Sequence, residues 1–189
     1  MKIILASASP RRRELLGTIG IKDFTVCPAK GKELAPEDLS PDELVKYLSR
    51  EKAREVAASY PDDLIIAADT IVWAKGRVLG KPRDEEDAFR MLRLLSGDTH
   101  EVYTGITLIK GGTELCEAEC TKVSFRELDD SEINAYIASG EPMDKAGAYG
   151  IQGLASLMVS KIEGEYFTVV GLPLCRLGLM LNKIGVQLL

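Results

Sequence analysis

Histidine, tryptophan and paired cysteines are scarce in this sequence. It carries one His and one Trp, and its four cysteines, Cys27, Cys116, Cys120 and Cys175, form no CxxC pair. A histidine-rich metal centre is thereby excluded, so any metal has to be a hard ion held by oxygen ligands. On a strand, Cys116 and Cys120 stand roughly 13 Å apart, too far for a disulfide or a shared zinc ion. Four free thiols in a reducing compartment are expected. Long apolar runs are missing too: the longest, residues 64–68, is far short of the ~20 residues that span a bilayer. Ala6-Ser7-Ala8 imitates a signal-peptidase box, but the apolar stretch before it is shorter than the roughly 7–15 residues of an h-region. Arg11, Arg12 and Arg13 also follow that stretch rather than precede it. A cytoplasmic protein with no membrane partner is expected. Positive charge is in deficit, 24 Lys and Arg against 29 Asp and Glu, a net charge of −5. That balance argues against duplex nucleic acid as a partner, which demands many Lys/Arg–phosphate contacts. A small phosphorylated ligand held by a local basic cluster remains compatible with it.

The 189 residues, 46% hydrophobic and 28% charged, suit a single globular domain spanning residues 1–189. Strands are expected at residues 2–6, 23–27, 64–72 and 157–162, and an antiparallel pair at 101–110 and 114–125 flanks Gly111-Gly112. Residues 73–79, around Lys75-Gly76, form a hairpin tip. Helices are expected to begin at Ser9-Pro10 and to cover residues 41–59, 84–95, 129–139 and 173–183; Ser40 and Pro41 supply the N-cap and first helical position of the second. Residues 140–153 are irregular and glycine-rich. Strands alternating with helices and hairpins predict an α/β fold, a mixed central sheet flanked by helices. The hairpin-rich middle is expected to form a second lobe, with a cleft between the two lobes.

Four segments carry chemistry that a bland fold does not need. In Ser7-Ala8-Ser9-Pro10-Arg11-Arg12-Arg13-Glu14, Ser9 is the expected N-cap, and three arginines crowd the positive end of the helix dipole, where cations are disfavoured. Free N–H groups, the Ser7 and Ser9 hydroxyls and guanidinium forks make an anion site there; a solvated helix start with Glu14 pairing locally is the plainer account. In Ala67-Ala68-Asp69-Thr70, a buried run ends in an acid, which puts Asp69 at the carboxyl end of a strand, where α/β active sites gather. There it can hold Mg²⁺ or take a proton from water; the plainer account is an aspartate capping a turn. On a helical wheel, Lys52 falls inside the apolar arc with Leu44, Leu48, Val45 and Val56, and Glu55 falls there as well. Snorkelling is the ordinary reason for such a lysine. Lys81 stands in the rigid turn Gly80-Lys81-Pro82, and Glu33 in a polar loop, where solvation is its ordinary role. The fourth segment, residues 140–153, has four glycines in fourteen residues but matches neither GxxxxGK[ST] nor GxGxxG. A surface loop is the plain alternative to a ligand cradle.

In order, Leu5-Ala6-Ser7-Ala8-Ser9-Pro10-Arg11-Arg12, Lys52-Ala53, Ala68-Asp69-Thr70, Gly80-Lys81-Pro82, His100-Glu101-Val102-Tyr103-Thr104-Gly105, Gly140-Glu141-Pro142, Lys145-Ala146-Gly147-Ala148-Tyr149-Gly150-Ile151-Gln152-Gly153 and Val169-Val170-Gly171-Leu172-Pro173 resemble the Maf family of nucleoside triphosphate pyrophosphatases, the septum-formation proteins. The resemblance implies hydrolysis of a nucleoside triphosphate to monophosphate and pyrophosphate, a divalent metal and a homodimer. Arg12, Thr70 and Gln152 at the specificity positions resemble the branch acting on dTTP and UTP, modified or non-standard pyrimidine nucleotides included. Two departures stand out: Thr168 replaces the usual asparagine, and Lys30-Gly31-Lys32 precedes Glu33 in place of serine and acidic residues.

What the resemblance implies for mechanism is specific. Mg²⁺ or Mn²⁺ bridges the triphosphate, held in part by Asp69 and Glu33, and Asp69 activates a water for attack on the α-phosphorus. Arg11, Arg12, Lys52 and Lys81 stabilise the departing pyrophosphate. Gln152, whose amide offers one acceptor and two donors, matches the N3–H and carbonyls of uracil and thymine but not cytosine. His100 suggests no Ser–His–Asp hydrolase, because no G-x-S-x-G elbow exists. The rival from another class is a nucleotide-binding regulator of cell division with little turnover, using the same residues as a sensor.

Overall fold

The structure, a computed structural model, describes residues 1–31 and 34–189. Along the chain run β1 (Ile3–Leu5), α1 (Pro10–Thr18), β2 (Thr25–Val26), α2 (Pro41–Ala57), β3 (Leu64–Ala74), β4 (Arg77–Leu79) and α3 (Glu85–Leu95). They are followed by β5 (Thr99–Lys110), β6 (Thr113–Phe125), α4 (Asp130–Ala138), β7 (Val159–Glu163), α5 (Tyr166–Val170) and α6 (Leu174–Lys183). Three short 3₁₀ turns, Glu141–Asp144, Ala146–Ala148 and Leu154–Leu157, fill the glycine-rich stretch and its exit. The strands form one mixed sheet in the order β2-β1-β3-β5-β6-β7, with β4 paired to β3, so the expected α/β architecture is the observed one.

Helix starts follow their caps. The Ser40 side chain accepts from the Glu43 N–H while the Glu43 carboxylate takes the Ser40 N–H, a reciprocal cap with Pro41 at the first position. Asp129 and Glu132 repeat it at α4, and Asp84 caps α3 through the Asp87 N–H. Ser9 departs from expectation: it occupies the N-cap position of α1, but its side chain makes no capping bond. Its N–H instead donates to the Ser7 hydroxyl at 3.3 Å.

The chain forms two compact units, 1–69 with 104–119 and 171–189, and 70–103 with 120–170. In the first, β1 pairs in parallel with β2 and with β3, matching Leu5 to Val26 and to Ile66. Ile4, Ile65, Ala67, Ala53 and Val56 bury together between these strands and α2. Gly105 of β5 lets α2 approach closely, since a Cβ there would overlap the Val45 carbonyl. In the second unit, Val72, Trp73 and Ala74 of β3 pair antiparallel with β4, and β6 pairs antiparallel with β7. The glycine-rich stretch seats on β3 and on the Gly80 turn. The Gly147 N–H donates to the Gly80 carbonyl at 3.0 Å, and a Cβ on Gly147, whose φ is +69°, would press the Val72 side chain at 2.9 Å. No helix among the described residues is long and apolar enough to cross a membrane. Among the described residues no disulfide joins Cys27, Cys116, Cys120 or Cys175.

Candidate active site

The parallel β1–β3 pairing ends at Leu5 and Ile66, where the chain leaves β1 while β3 runs on. Ala6 still donates to the Ile66 carbonyl at 2.8 Å. One residue on, Ser7 is 7% exposed, and three residues after that α1 begins. Asp69, also 7% exposed, lies three residues past the Ile66 pair. The expectation that Asp69 ends a strand is corrected here: β3 continues to Ala74, because backbone pairing with β4 carries it past the acid that interrupts the apolar run. Asp69 therefore marks the carboxyl edge of the parallel β1–β3 segment, in mid-strand.

Lys52 meets it there. The α2 face that buries Val45, Ser49, Ala53 and Val56 also carries Lys52, whose ammonium forms an ion pair with the Asp69 carboxylate. Both side chains are largely buried, at 18% and 10% exposure. The lysine is thus held by a carboxylate rather than extended fully into water. Glu55, the second polar residue in that arc, is equally engaged: its carboxylate accepts from the Lys30 and Gly31 N–H groups at 2.7 and 2.9 Å. Those two bonds hold its carboxyl below the usual range. They also anchor the chain immediately before Glu33, which lies outside the described residues.

The start of α1 is basic and has no acid in its first turn. Glu14 forms no ion pair among the described residues, so the local pairing that would explain away the arginines is missing. Arg12 donates from Nε to the Gly171 carbonyl at 2.7 Å and from Nη1 to the Ser7 hydroxyl at 3.1 Å. Its guanidinium is thereby fixed against the loop that leads into α1. Arg11 is half-buried, and Arg13 reaches back to the Ala8 carbonyl at 3.5 Å. Backbone N–H groups, two hydroxyls and guanidinium groups at one helix start suit an anion.

The second unit holds the remaining expected residues. Thr70 follows Asp69 in β3 and is half-buried, on the opposite face of the strand as regular alternation requires. Lys81 is exposed in the turn tied to Gly147, and Gln152 is exposed in the glycine-rich stretch beside buried Ile151. Thr168, at the position of the family asparagine, is wholly buried in α5.

A hard divalent cation fits these donors. Mg²⁺ keeps several waters and needs only one or two carboxylates beside substrate phosphates, and Asp69 offers a fixed, buried carboxylate. Among the described residues no three His, Cys, Asp or Glu side chains gather into a protein-only metal cage.

His100 is buried in the second unit. It is 3% exposed, shares a 2.8 Å hydrogen bond with the Tyr149 hydroxyl, and packs edge-to-face on Phe125 and Tyr149. Burial lowers its pKa from 6.5 to about 4, against a small opposing pull from the Asp98 carboxylate. The unfolded chain therefore takes up a proton near pH 6.5 that the folded chain refuses until about pH 4. Stability from this group is complete above pH 6.5 and falls between there and about pH 4, by about 3 kcal/mol in all. Melting curves of wild type and His100→Gln should accordingly converge as pH drops through that window. Parallel curves would mean that His100 is protonated in the fold.

Two kinds of comparison bear on the whole chain. The family described as Maf-like protein matches residues 2–184. A dTTP/UTP pyrophosphatase of Koribacter versatilis is 53% identical over 98% of this chain and 96% of its own. Another of Carboxydothermus hydrogenoformans is 55% identical over 98% of this chain and 100% of its own. Among solved structures, the Ham1 protein of Staphylococcus aureus aligns with 84% of this chain and 91% of its own at 14% identity and a TM-score of 0.48, a likeness too slight to bear on function.

Proposed function

Because the chain belongs to the Maf-like protein family, we propose that it hydrolyses dTTP and UTP to the nucleoside monophosphate and pyrophosphate. The observation that carries the chemistry is the buried Lys52–Asp69 pair at the same sheet edge as the acid-free, arginine-rich start of α1. Full-length identity to relatives with that name supports the substrate.

Asp69 accepts the proton of the attacking water at the α-phosphorus, and Lys52 fixes the direction of its carboxylate. Asp69 and Glu33 are the residues that would hold a divalent cation, Mg²⁺ or Mn²⁺. When bound, that ion supplies positive charge to the phosphate oxygens. Ser7, Ser9, Arg11 and Arg12 hold phosphate oxygens, and Arg12 is already oriented by Ser7 and the Gly171 carbonyl. Lys81 adds charge for the departing pyrophosphate. Gln152 pairs with the base, and Thr70 assists specificity. Positioned charge of this kind accounts for most of the acceleration in phosphoryl transfer, where the protein does little covalent chemistry.

A nucleotide panel with Mg²⁺, scoring pyrophosphate apart from orthophosphate, tests the reading. Pyrophosphate from dTTP and UTP, with CTP a poor substrate, is the expected result. Orthophosphate with diphosphate left over places the attack at the γ-phosphorus and rejects the mechanism. Tight nucleotide binding with no turnover makes the protein a sensor instead. In the same assay Gln152→Glu should depress dTTP and UTP hydrolysis much more than it lowers the melting temperature, because the new carboxylate cannot donate to a base carbonyl. Unchanged selectivity for UTP over CTP in that variant means the base is read elsewhere.

A further inference from the structure

The geometry points to Glu141 and Tyr136 as positioning residues for base selection, a latch that holds in place the turn presenting Gln152. The inference rests on the reading of Gln152 as the base-reading residue.

Residues 150–153 form a hydrogen-bonded turn, closed by the Gly153 N–H donating to the Gly150 carbonyl at 3.0 Å. Ile151 and Gln152 are its two central residues; the first is buried and the second exposed. Burial of Ile151 fixes which side of the turn faces inward, and Gln152 is thereby turned outward. The two ends of the turn are bonded to two polar side chains that are bonded to each other. At the leading end, the Gly150 N–H donates to the Tyr136 hydroxyl at 3.2 Å. Just past the trailing end, the Leu154 N–H donates to Glu141 Oε2 at 3.0 Å. Tyr136 closes the circuit by donating its own proton to Glu141 Oε1 at 3.0 Å.

Each partner is itself fixed. Tyr136 is 3% exposed on α4, so its hydroxyl projects from a packed helix. Glu141 begins the 3₁₀ turn Glu141–Asp144, and the Lys145 ammonium donates to its carbonyl at 2.7 Å. Hydrogen bonds to a carboxylate are about twice as strong as neutral ones, so Glu141 strengthens the hold that Tyr136 shares with it.

Gly153 gives an independent indication. A Cβ at that position would overlap both carboxylate oxygens of Glu141. The clash is with the tip of a flexible side chain, so Gly153→Ala can be relieved by moving the carboxylate away at little cost in stability. Relief of that kind opens the latch. A residue that merely fills space would not need a glycine opposite its charged tip.

Tyr136→Phe keeps the ring and removes the hydroxyl, Gly153→Ala displaces the carboxylate, and Glu141→Gln keeps the shape with one acceptor where there were two. The ratio of kcat/KM for UTP over CTP should fall about tenfold in the first two, mainly through a higher KM for UTP. Glu141→Gln should lie between them and wild type. Amide hydrogen exchange across residues 150–154 should quicken by about tenfold in Tyr136→Phe and Gly153→Ala, with exchange in the strands unchanged. A purely structural role predicts the opposite pattern: lower melting temperature, all nucleotides slowed alike and the ratio intact. A selective wild type whose ratio survives all three substitutions overturns this assignment alone. A wild type that hydrolyses CTP as readily as UTP overturns the base reading and this assignment together.

Discussion

Asp69→Asn should lower pyrophosphate release from dTTP and UTP about a thousandfold, the range expected for a lost general base, while the protein still folds. Asparagine has the same shape, and its carbonyl oxygen still accepts from Lys52, so the α2–β3 contact keeps a hydrogen bond where it had an ion pair. What vanishes is the negative charge that takes the proton and helps to neutralise a divalent cation. Removing one partner of a buried ion pair ordinarily destabilises because the other charge is stranded. Lys52 is spared most of that, since its side chain retains 18% exposure to water. The two readings of the protein separate cleanly here. An enzyme loses turnover and keeps nucleotide binding, whereas a sensor has no turnover to lose. Near-normal pyrophosphate release from a well-folded Asp69→Asn protein removes Asp69 from the mechanism. Measuring melting temperature and activity on the same sample prevents misfolding from imitating the expected loss.

Local signals made most of the elements legible, and tertiary contacts hid the rest. Helix starts are written in side chains that satisfy orphan N–H groups, as at Ser40 and Glu43 or Asp129 and Glu132. The hairpin at Lys75-Gly76 is likewise announced by Gly76, which suits the positive φ that both turn residues adopt. By contrast, α5 has the sequence Tyr166-Phe167-Thr168-Val169-Val170, aromatic and β-branched residues that favour strands. Five residues carry no helical period, and packing around buried Thr168 and Val170 decides the outcome. The apolar run misplaced Asp69 at a strand end, because hydropathy breaks at the acid while backbone pairing goes on to Ala74. For the site, the wheel placed Lys52 and Glu55 in an apolar arc without their partners. Asp69 is 17 residues from Lys52, and the N–H groups that Glu55 binds are 24 and 25 residues away. No spacing rule links such pairs. Nor does any period link Tyr136, Glu141, Gly150 and Leu154, so the circuit around Gln152 is visible only once the glycine-rich stretch is folded.

Gly105→Ala should be among the most damaging single-methyl additions in the first unit. The added Cβ would overlap the Val45 carbonyl and stand 2.9 Å from the Lys46 nitrogen. These are backbone atoms inside α2, so no rotamer change relieves the clash and the helix has to lift from β5. Lifting it loosens Val45, Ala53 and Val56 from the core, along with the 2.9 Å hydrogen bond between the Ser49 and Thr107 hydroxyls. Overpacking of this severity costs about 3 kcal/mol. For a chain of this length that lowers the melting temperature by about 6–12 °C. Turnover should fall with it, because α2 also carries Lys52 to Asp69. Gly178→Ala is the counterpart: it lies within α6, a Cβ there meets nothing within 4 Å, and alanine loses less backbone freedom on folding. That variant should gain about 0.4–1 kcal/mol. Opposite shifts in melting temperature from the same chemical change would trace the damage to the approach of α2 onto β5. Equal melting temperatures for Gly105→Ala and wild type would mean that α2 does not lie so close.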